Sequence, residues 1–398
     1  MADETNNENQ KGSSRREFLK GGLYAAGGAV AATAVMNMGS DNNQGATGTS
    51  APAINTNAPI VLKMQTAWGG GNIWNDFARE YVDRVHSMSG GRIQIDLLPA
   101  GAIVKAFQVM DAVSDGVLDI GHDVPVYWYG KNKAASLFGT GPVWGGNANN
   151  MMSWWYAGGG RELYRELTQD IMGLNVVGYF GFPMPSQPFG WFKDGDVTSV
   201  NDIQGLKYRT VGLAADLLQE MGMAVAQLPG GEIVPAMERG VIDAFEFNNP
   251  SSDSDFGAQD VAKNYYLGSY HQASESFEWL FNRDMLESLD DDLQAILVHA
   301  VEAASTSNTA TALDRYSADL ESLQTESGVT VHRTSDEILA AQLEAWSTLI
   351  PGLEEDEFMN RVMESQKAWV ERTVFYELMN QPDLQLAYEH FFPGRLNM

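Results

Sequence analysis

The chain has 398 residues, no cysteine, and 25 Lys plus Arg against 52 Asp plus Glu, a formal charge of −27. Without a thiol there is no disulfide framework, zinc-cysteine site, iron-sulfur cluster or cysteine nucleophile, so core packing must hold the fold. A balance this acidic repels phosphate backbones and anionic lipid, which argues against nucleic acid as a partner and leaves a small anion to be held at a local cationic site.

In chain order, Ser14-Arg-Arg-Glu-Phe-Leu-Lys20 sets paired arginines before an uncharged Gly/Ala stretch, Gly21 to Met36. This is the pattern of a twin-arginine export signal, and the stretch is shorter than the roughly 20 apolar residues of a spanning helix. Ala32-Thr33-Ala34 and Ala51-Pro52-Ala53 both have the small-x-small form of a cleavage site, and Asp41 to Pro59 is a Gly/Ser/Asn-rich flexible leader. Residues 1–58 therefore read as signal plus leader, and the mature protein is expected in the periplasm or otherwise outside the cytoplasm.

The mature chain begins with a strand, Ile60 to Met64, and a helix in which Ile73, Phe77, Tyr81, Val85 and Met88 recur every three or four residues up to Gly90-Gly91. Arg92 to Leu98 alternates as a strand does, and a helix from Lys105 to Val117 and a strand from Asp119 complete a β-α-β-α-β order that implies a parallel sheet. A second series starts near Leu174, with strands around Tyr208, Val225 and Ala244 and helices over Leu213 to Met221 and Glu232 to Arg239. Ala112 to Asp119 aligns with Ala236 to Asp243, with Gly116 and Gly240 each ending a helix before a strand, which suggests duplication. The remainder is mainly helical. An apolar stripe from Leu289 to Leu323 forms one long helix able to span two lobes, a strand runs from Val329 to His332, and Glu337 to Leu349 and Glu354 to Leu378 are helices broken at Pro351-Gly352. The fold class is α/β, two lobes around a ligand cleft, with residues 59–184 and 277–315 in lobe I and 185–276 and 316–398 in lobe II.

Conventional catalytic motifs are missing: the six histidines are scattered with no HExxH pair, and there is no GxSxG, phosphate loop or GxGxxG. Four segments instead put polar groups into apolar surroundings: Ser186 to Phe192, Gly205-Leu-Lys-Tyr-Arg-Thr210, Asp243-Ala-Phe-Glu-Phe247 and Tyr265 to Gln272. Arg209 offers a planar fork for a carboxylate, Glu246 between two phenylalanines needs a cation or a proton if buried, and Gln187 and Gln272 present neutral amide oxygens of the kind that suit sodium or calcium.

Leu228-Pro-Gly-Gly-Glu-Ile-Val-Pro-Ala-Met-Glu-Arg-Gly-Val-Ile-Asp-Ala-Phe-Glu246, preceded by Gly205 to Thr210, resembles the solute-binding subunit of tripartite ATP-independent periplasmic (TRAP) transporters. Ser89 to Arg92, Gly121-His122, Tyr127 to Lys131, Tyr156 to Gly160 and Tyr265 to Gln272 resemble the branch that binds 2-oxo and 2-hydroxy monocarboxylates. The resemblance implies a periplasmic-binding-protein-like cleft in which Arg209 clamps the ligand carboxylate. Trp68, Tyr129, Phe189, Phe247 and Gln187 surround that ligand, and a bridging ion is held by Gln187, Glu246, the Phe247 carbonyl and Gln272. Phe247 stands where the branch usually has Trp, Gln272 where it has Glu, and Phe189 where it has Gly. With Glu246 and the ligand at −1 each and Arg209 at +1, the site stands at −1, which favours sodium over calcium.

The implied function is capture of a small organic carboxylate such as pyruvate or lactate and its delivery to a TRAP membrane permease, without catalysis. The alternative is an exported metal-assisted lyase or isomerase of 2-hydroxy acids, with Tyr129 or His271 as base. A long C-terminal helix either covers its own lobes or exchanges with a second protomer in a homodimer.

Overall fold

The computed structural model describes residues 58–193 and 195–396. The arginine pair, both cleavage sites and the leader up to residue 57 lie outside the described residues. Among the described residues no helix is long and apolar enough to cross a membrane.

The first sheet starts with β1 (Ile60–Thr66), followed by α1 (Ile73–Met88), β2 (Ile93–Leu98), α2 (Val109–Ser114) and β3 (Ile120–Asp123). Strand β1 pairs in parallel with both β2 and β3, as the β-α-β-α-β pattern requires. Asn72 caps α1 by accepting from the Trp74 amide, and Ile73, Trp74, Phe77, Tyr81 and Val85 form its buried face. After α3 (Ala148–Ala157), β4 (Val176–Met184) joins the same sheet. The order is β2-β1-β3-β10-β4, where β10 (Glu275–Asn282) returns from far along the chain and runs antiparallel to both neighbours. Every residue of β10 is buried. The sheet is thus mixed, because a strand arriving from the other lobe enters from the opposite end.

The second sheet, in the order β11-β9-β5-β8-β6-β7, takes β5 (Gly190–Phe192), β6 (Lys207–Thr210), β7 (Ala224–Gln227), β8 (Ala244–Phe245), β9 (Asn264–Leu267) and β11 (Thr330–Arg333). Between β6 and β7 lies α4 (Leu213–Glu220), between β7 and β8 lies α5 (Ile233–Glu238), and α6 (Pro250–Asp255) follows β8.

The internal match is repeated in hydrogen bonds. Val117 and Leu118 both donate to the Ala112 carbonyl, and Val241 and Ile242 both donate to that of Ala236. Asp119 then donates to the Lys63 carbonyl while Asp243 donates to that of Lys207. Gly116 and Gly240 have φ of +72° and +67°, the left-handed conformation that lets a helix end in an abrupt turn into a strand.

Helix α7 (Asp291–Thr325) links the two halves. Leu297 accepts from Tyr81 of α1, Ser305 from the amide of Phe182 in β4, and Asp319 from Ser251 of α6. The buried line of α7 runs through Ala300, Ala304, Asn308 and Ala312, whereas Leu313 is 77% exposed. Small residues let α1 and β4 approach, so the stripe of large apolar residues traces the seam imperfectly. Pro351 lies inside α8 (Asp336–Leu353), and the break comes only before α9 (Glu357–Asn380). The proline forgoes the bond its N–H would give to the carbonyl four residues back, and the helix ends two residues later. Strand β11 and α8 go with the second sheet, but α9 packs on lobe I. Gln366 donates to the Leu137 carbonyl at 2.7 Å, Trp154 of α3 donates to Ser365 at 3.0 Å, and Arg361 grips Glu166. A last helix, α10 (Leu384–Phe391), which the periodicity reading did not include, has no buried residue.

Candidate functional site

The parallel strands of both sheets end toward one cavity, the usual location of ligand sites in open α/β sheets. Arg209 is the third residue of β6 and is 1% exposed. Register pairing of Arg209 with Phe245 on β8 brings the next residue, Glu246, alongside. Arg209 Nη1 donates to the Glu246 carbonyl at 2.7 Å and to Glu246 Oε1 at 2.9 Å, while Nε donates to the Leu228 carbonyl at 2.8 Å. Those bonds occupy three of the five guanidinium hydrogens. In this conformation the protein's own oxygens take two of the fork's nitrogens, and the Tyr127 hydroxyl in the wall also bonds the guanidinium. Burial pushes the Glu246 carboxyl up to about 7 despite the opposing Arg209 charge, and its Oε2 has no protein partner.

Two crossings between the sheets carry the remaining polar groups. Gln187 lies between β4 and β5, Gln272 lies between β9 and β10, and the Gln187 amide donates to the Gln272 carbonyl at 3.0 Å. Both side-chain NH₂ groups donate to one oxygen, Glu275 Oε2, that from Gln187 at 2.7 Å. The side-chain carbonyl oxygens of both glutamines are buried without a protein partner. Burial, reinforced by Glu246, raises the Glu275 carboxyl well above the usual range.

Aromatic residues close the cavity down to about 10 Å³, roughly the space of one water molecule. Trp68 lines it, but its indole N–H is committed to His122 Nδ1 at 2.8 Å, so it offers a ligand a wall and no donor. Phe247 packs against Trp74 of α1 with ring centroids 5.0 Å apart and has Arg209 over its face at 5.6 Å. Of the residues singled out in the sequence, Trp68, Gln187, Arg209, Phe247 and Gln272 share this lining, and Glu246 is joined to it through Arg209.

Two others are placed elsewhere. Tyr129 is part-buried beside α4, its hydroxyl donating to Asp216 at 2.8 Å, and Tyr127 takes the position in the wall. The short helical turn at Pro125–Trp128 determines which of these two tyrosines faces inward, and spacing alone did not show it. Phe189 is fully buried behind the site against Phe192 and Tyr208. His271 is buried, bonded through Nδ1 to Ser269, and pushed down to about 3 by burial and by Arg209.

Residues 64–356 match the bacterial extracellular solute-binding proteins of family 7, the DctP family. The chain belongs to that family of TRAP solute-binding proteins. It is 30% identical over 350 residues to a monocarboxylate 2-oxoacid-binding periplasmic protein of Nostoc sp., covering 87% of this chain and 93% of that one. A TRAP solute-binding protein of Bordetella bronchiseptica with calcium and picolinate superposes with a TM-score of 0.77 at 27% identity, over 84% of this chain and 98% of the other. Those of Pseudoalteromonas atlantica, with sodium and pyruvate, and Colwellia psychrerythraea, with calcium and pyruvate, both give 0.76. Their identities are 27% and 28%, over 84% of this chain and 99% and 100% of theirs. Two α/β sheets with a linking helix are therefore the fold of this DctP-family protein, and membership implies a place outside the cytoplasm.

The donor set fits a hard cation. Gln187 Oε1, Gln272 Oε1 and Glu246 Oε2 are buried, unpartnered oxygens beside one cavity, and such atoms are costly unless something binds them. Sequence reasoning missed Glu275, because the Tyr265 to Gln272 segment was closed three residues too early. A carboxylate opening the aromatic run Phe277-Glu-Trp-Leu-Phe281 was the available signal.

Proposed function

We propose that this DctP-family protein captures a small monocarboxylate of the 2-oxo or 2-hydroxy class in the cavity and hands it to TRAP permease subunits. The observation that supports this most is Arg209, a fully buried cation in the wall of a small aromatic-lined cavity that is also bordered by unpartnered hard oxygens. Arg209 takes the ligand carboxylate. Gln187, Glu246, Gln272 and the Phe247 carbonyl hold a sodium or calcium ion. When bound, that ion supplies positive charge to the ligand's carboxylate and 2-oxygen. The aromatic wall of Trp68, Trp74 and Phe247 limits ligand size and excludes water.

The same environment supports binding without turnover. His271 at about 3 is too weak a base at neutral pH, and the Tyr129 hydroxyl is engaged by Asp216. The protein thus returns its ligand unchanged. Export by the twin-arginine route belongs to the same reading and rests on Ser14 to Lys20. A homodimer is supported by the apolar residues left exposed toward the C-terminus, among them Phe375, Leu378, Leu384 and Phe391 at 66%, 77%, 83% and 72%.

Native mass spectrometry of the protein as purified, followed by titration calorimetry with pyruvate and lactate, tests the proposal. A bound mass equal to a monocarboxylate plus one ion is the expected result. Absence of any carboxylate binding, or conversion of pyruvate to product, would refute it.

A further inference from the structure

Glu275 stands outside the ion-binding set named above, yet it touches two of its members. It is 3% exposed, opens β10 and lines the same cavity as Arg209. A carboxylate only accepts hydrogen bonds, so the Gln187 and Gln272 side chains must turn their NH₂ groups toward it. Both amide oxygens are thereby turned away from Glu275, and both are unpartnered. Glu275 thus orients two neutral ligands and sets its carboxyl directly behind them, where burial favours the protonated form until a cation at the two amide oxygens draws it to the ionised form. Counting it changes the sum. With an ion in place and both carboxyls ionised, Arg209 at +1, Glu246 and Glu275 at −1 each and a monocarboxylate at −1 set a charge of −2 around it. The count made from the sequence reached only −1, because Gln272 was read as the loss of a carboxylate that Glu275 in fact supplies from three positions on.

We propose that Glu275 is the second carboxylate of the ion site, positioning Gln187 and Gln272, and that the site consequently selects a divalent cation of calcium's type over sodium. The inference rests on the ion-dependent carboxylate binding proposed above. Amide, carboxylate and backbone oxygens are the mixture calcium takes, and a site two charges negative is neutralised by calcium and left negative by sodium.

The test uses the whole protein, stripped by chelation and dialysed into choline buffer. Pyruvate is titrated in calcium chloride alone and in sodium chloride alone, and bound metal is measured by plasma mass spectrometry. Wild type should retain calcium in the presence of excess sodium. E275Q should lower the calcium-to-sodium affinity ratio at least tenfold, about 1.4 kcal/mol, while keeping its melting temperature. The double variant E275Q/Q272E, which moves the carboxylate by one ligand position, should return the ratio to within threefold of wild type. A role for Glu275 in packing alone would not move this ratio. An unchanged ratio in E275Q, or failure of the double variant to restore it, overturns the proposal while leaving ion-dependent binding intact. If wild type and E246Q bind pyruvate equally with no ion present, the underlying reading falls instead.

Discussion

Gly230 offers a direct way to probe the cavity wall without altering a polar group. A Cβ at this position would stand 2.5 Å from Cε2 and 2.6 Å from Cζ of the Phe247 ring, where carbon atoms settle at about 3.5–4.0 Å. The ring must therefore retreat by about 1 Å. It is boxed in, with Trp74 and Phe256 each 5.0 Å away between centroids and Arg209 over its face. Retreat thus pushes it toward Arg209 and the ligand space. Overpacking of this kind costs about 1–3 kcal/mol. If that cost falls on the liganded state, Gly230→Ala should weaken pyruvate binding by roughly 5- to 150-fold. Gly230 has no positive φ, so Ala brings no backbone strain there, and any fall in the ligand-free melting temperature reports the overpacking against Phe247 alone. Gly231→Ala is the matched control, since nothing lies within 4 Å of its Cβ position. Titration calorimetry and thermal melting of the two variants decide the matter. A dissociation constant for Gly230→Ala within twofold of both wild type and Gly231→Ala would mean that Phe247 does not form the wall.

Other consequences concern charge and assembly. Arg209→Ala should abolish carboxylate binding and, by stranding Glu246 in a buried site, destabilise the fold by about 3–5 kcal/mol; adding Glu246→Gln should recover stability in denaturant titrations but not binding. Asp123 and Glu278 are buried register partners on β3 and β10, and burial and mutual repulsion raise Asp123 while burial raises Glu278 to about 7. Folded values above the unfolded ones mean a contribution complete below about pH 4 and lost as pH rises through about 7. The ligand-free melting temperature should accordingly fall across that window, and Asp123→Asn should flatten the fall. Deleting residues 382–398 should leave the melting temperature within a few degrees of wild type, because α10 buries nothing within the chain. In sedimentation the same deletion should convert a dimer to a monomer, and a shortened protein that remains dimeric would place the interface elsewhere.

The parallel strand-helix order, the glycine joints at Gly116 and Gly240 and the long helix were legible because each depends on local chemistry: periodicity, a positive φ, an unbroken run. The entry of β10 between β3 and β4 was not, since its partners lie far off in sequence, from Met184 opposite Glu275 back to Ile120 opposite Phe281, and its all-buried pattern has no alternation. At the site, Arg209 and Glu246 were each singled out from the sequence, but their direct ion pair was not; it follows from their places at the ends of adjacent parallel strands. The choice of Tyr127 over Tyr129 depends on a short helical turn, and that of Glu275 on where a crossing segment becomes a strand. Neither follows from residue type. Phe189, expected beside the ligand, instead packs on Tyr208 of β6.

The two sets of cavity residues act on closure with opposite signs. Phe247 on the second sheet's side meets Trp74 on the first sheet's side, and Trp68 packs on Trp74 at 4.5 Å, so bringing the lobes together buries aromatic surface whatever else is present. Against this, Gln187 Oε1, Gln272 Oε1, Glu246 Oε2 and Glu275 Oε1 are withdrawn from water without a protein partner. Each such oxygen costs about 1–3 kcal/mol, enough in combination to offset the aromatic contact. A ligand carboxylate at Arg209 together with a cation at these oxygens removes the opposing cost and leaves the apolar gain. Closure is then expected to depend on occupancy, because a ligand that satisfies these oxygens binds the closed arrangement better than an open one, which is the differential affinity any ligand-driven change requires. A cavity lined only by apolar residues would close unliganded, and one lined only by oxygens would stay open. The two amide oxygens sit on the crossing segments while Glu246 and Phe247 follow β8, so the crossings and the strand ends both contribute to the site.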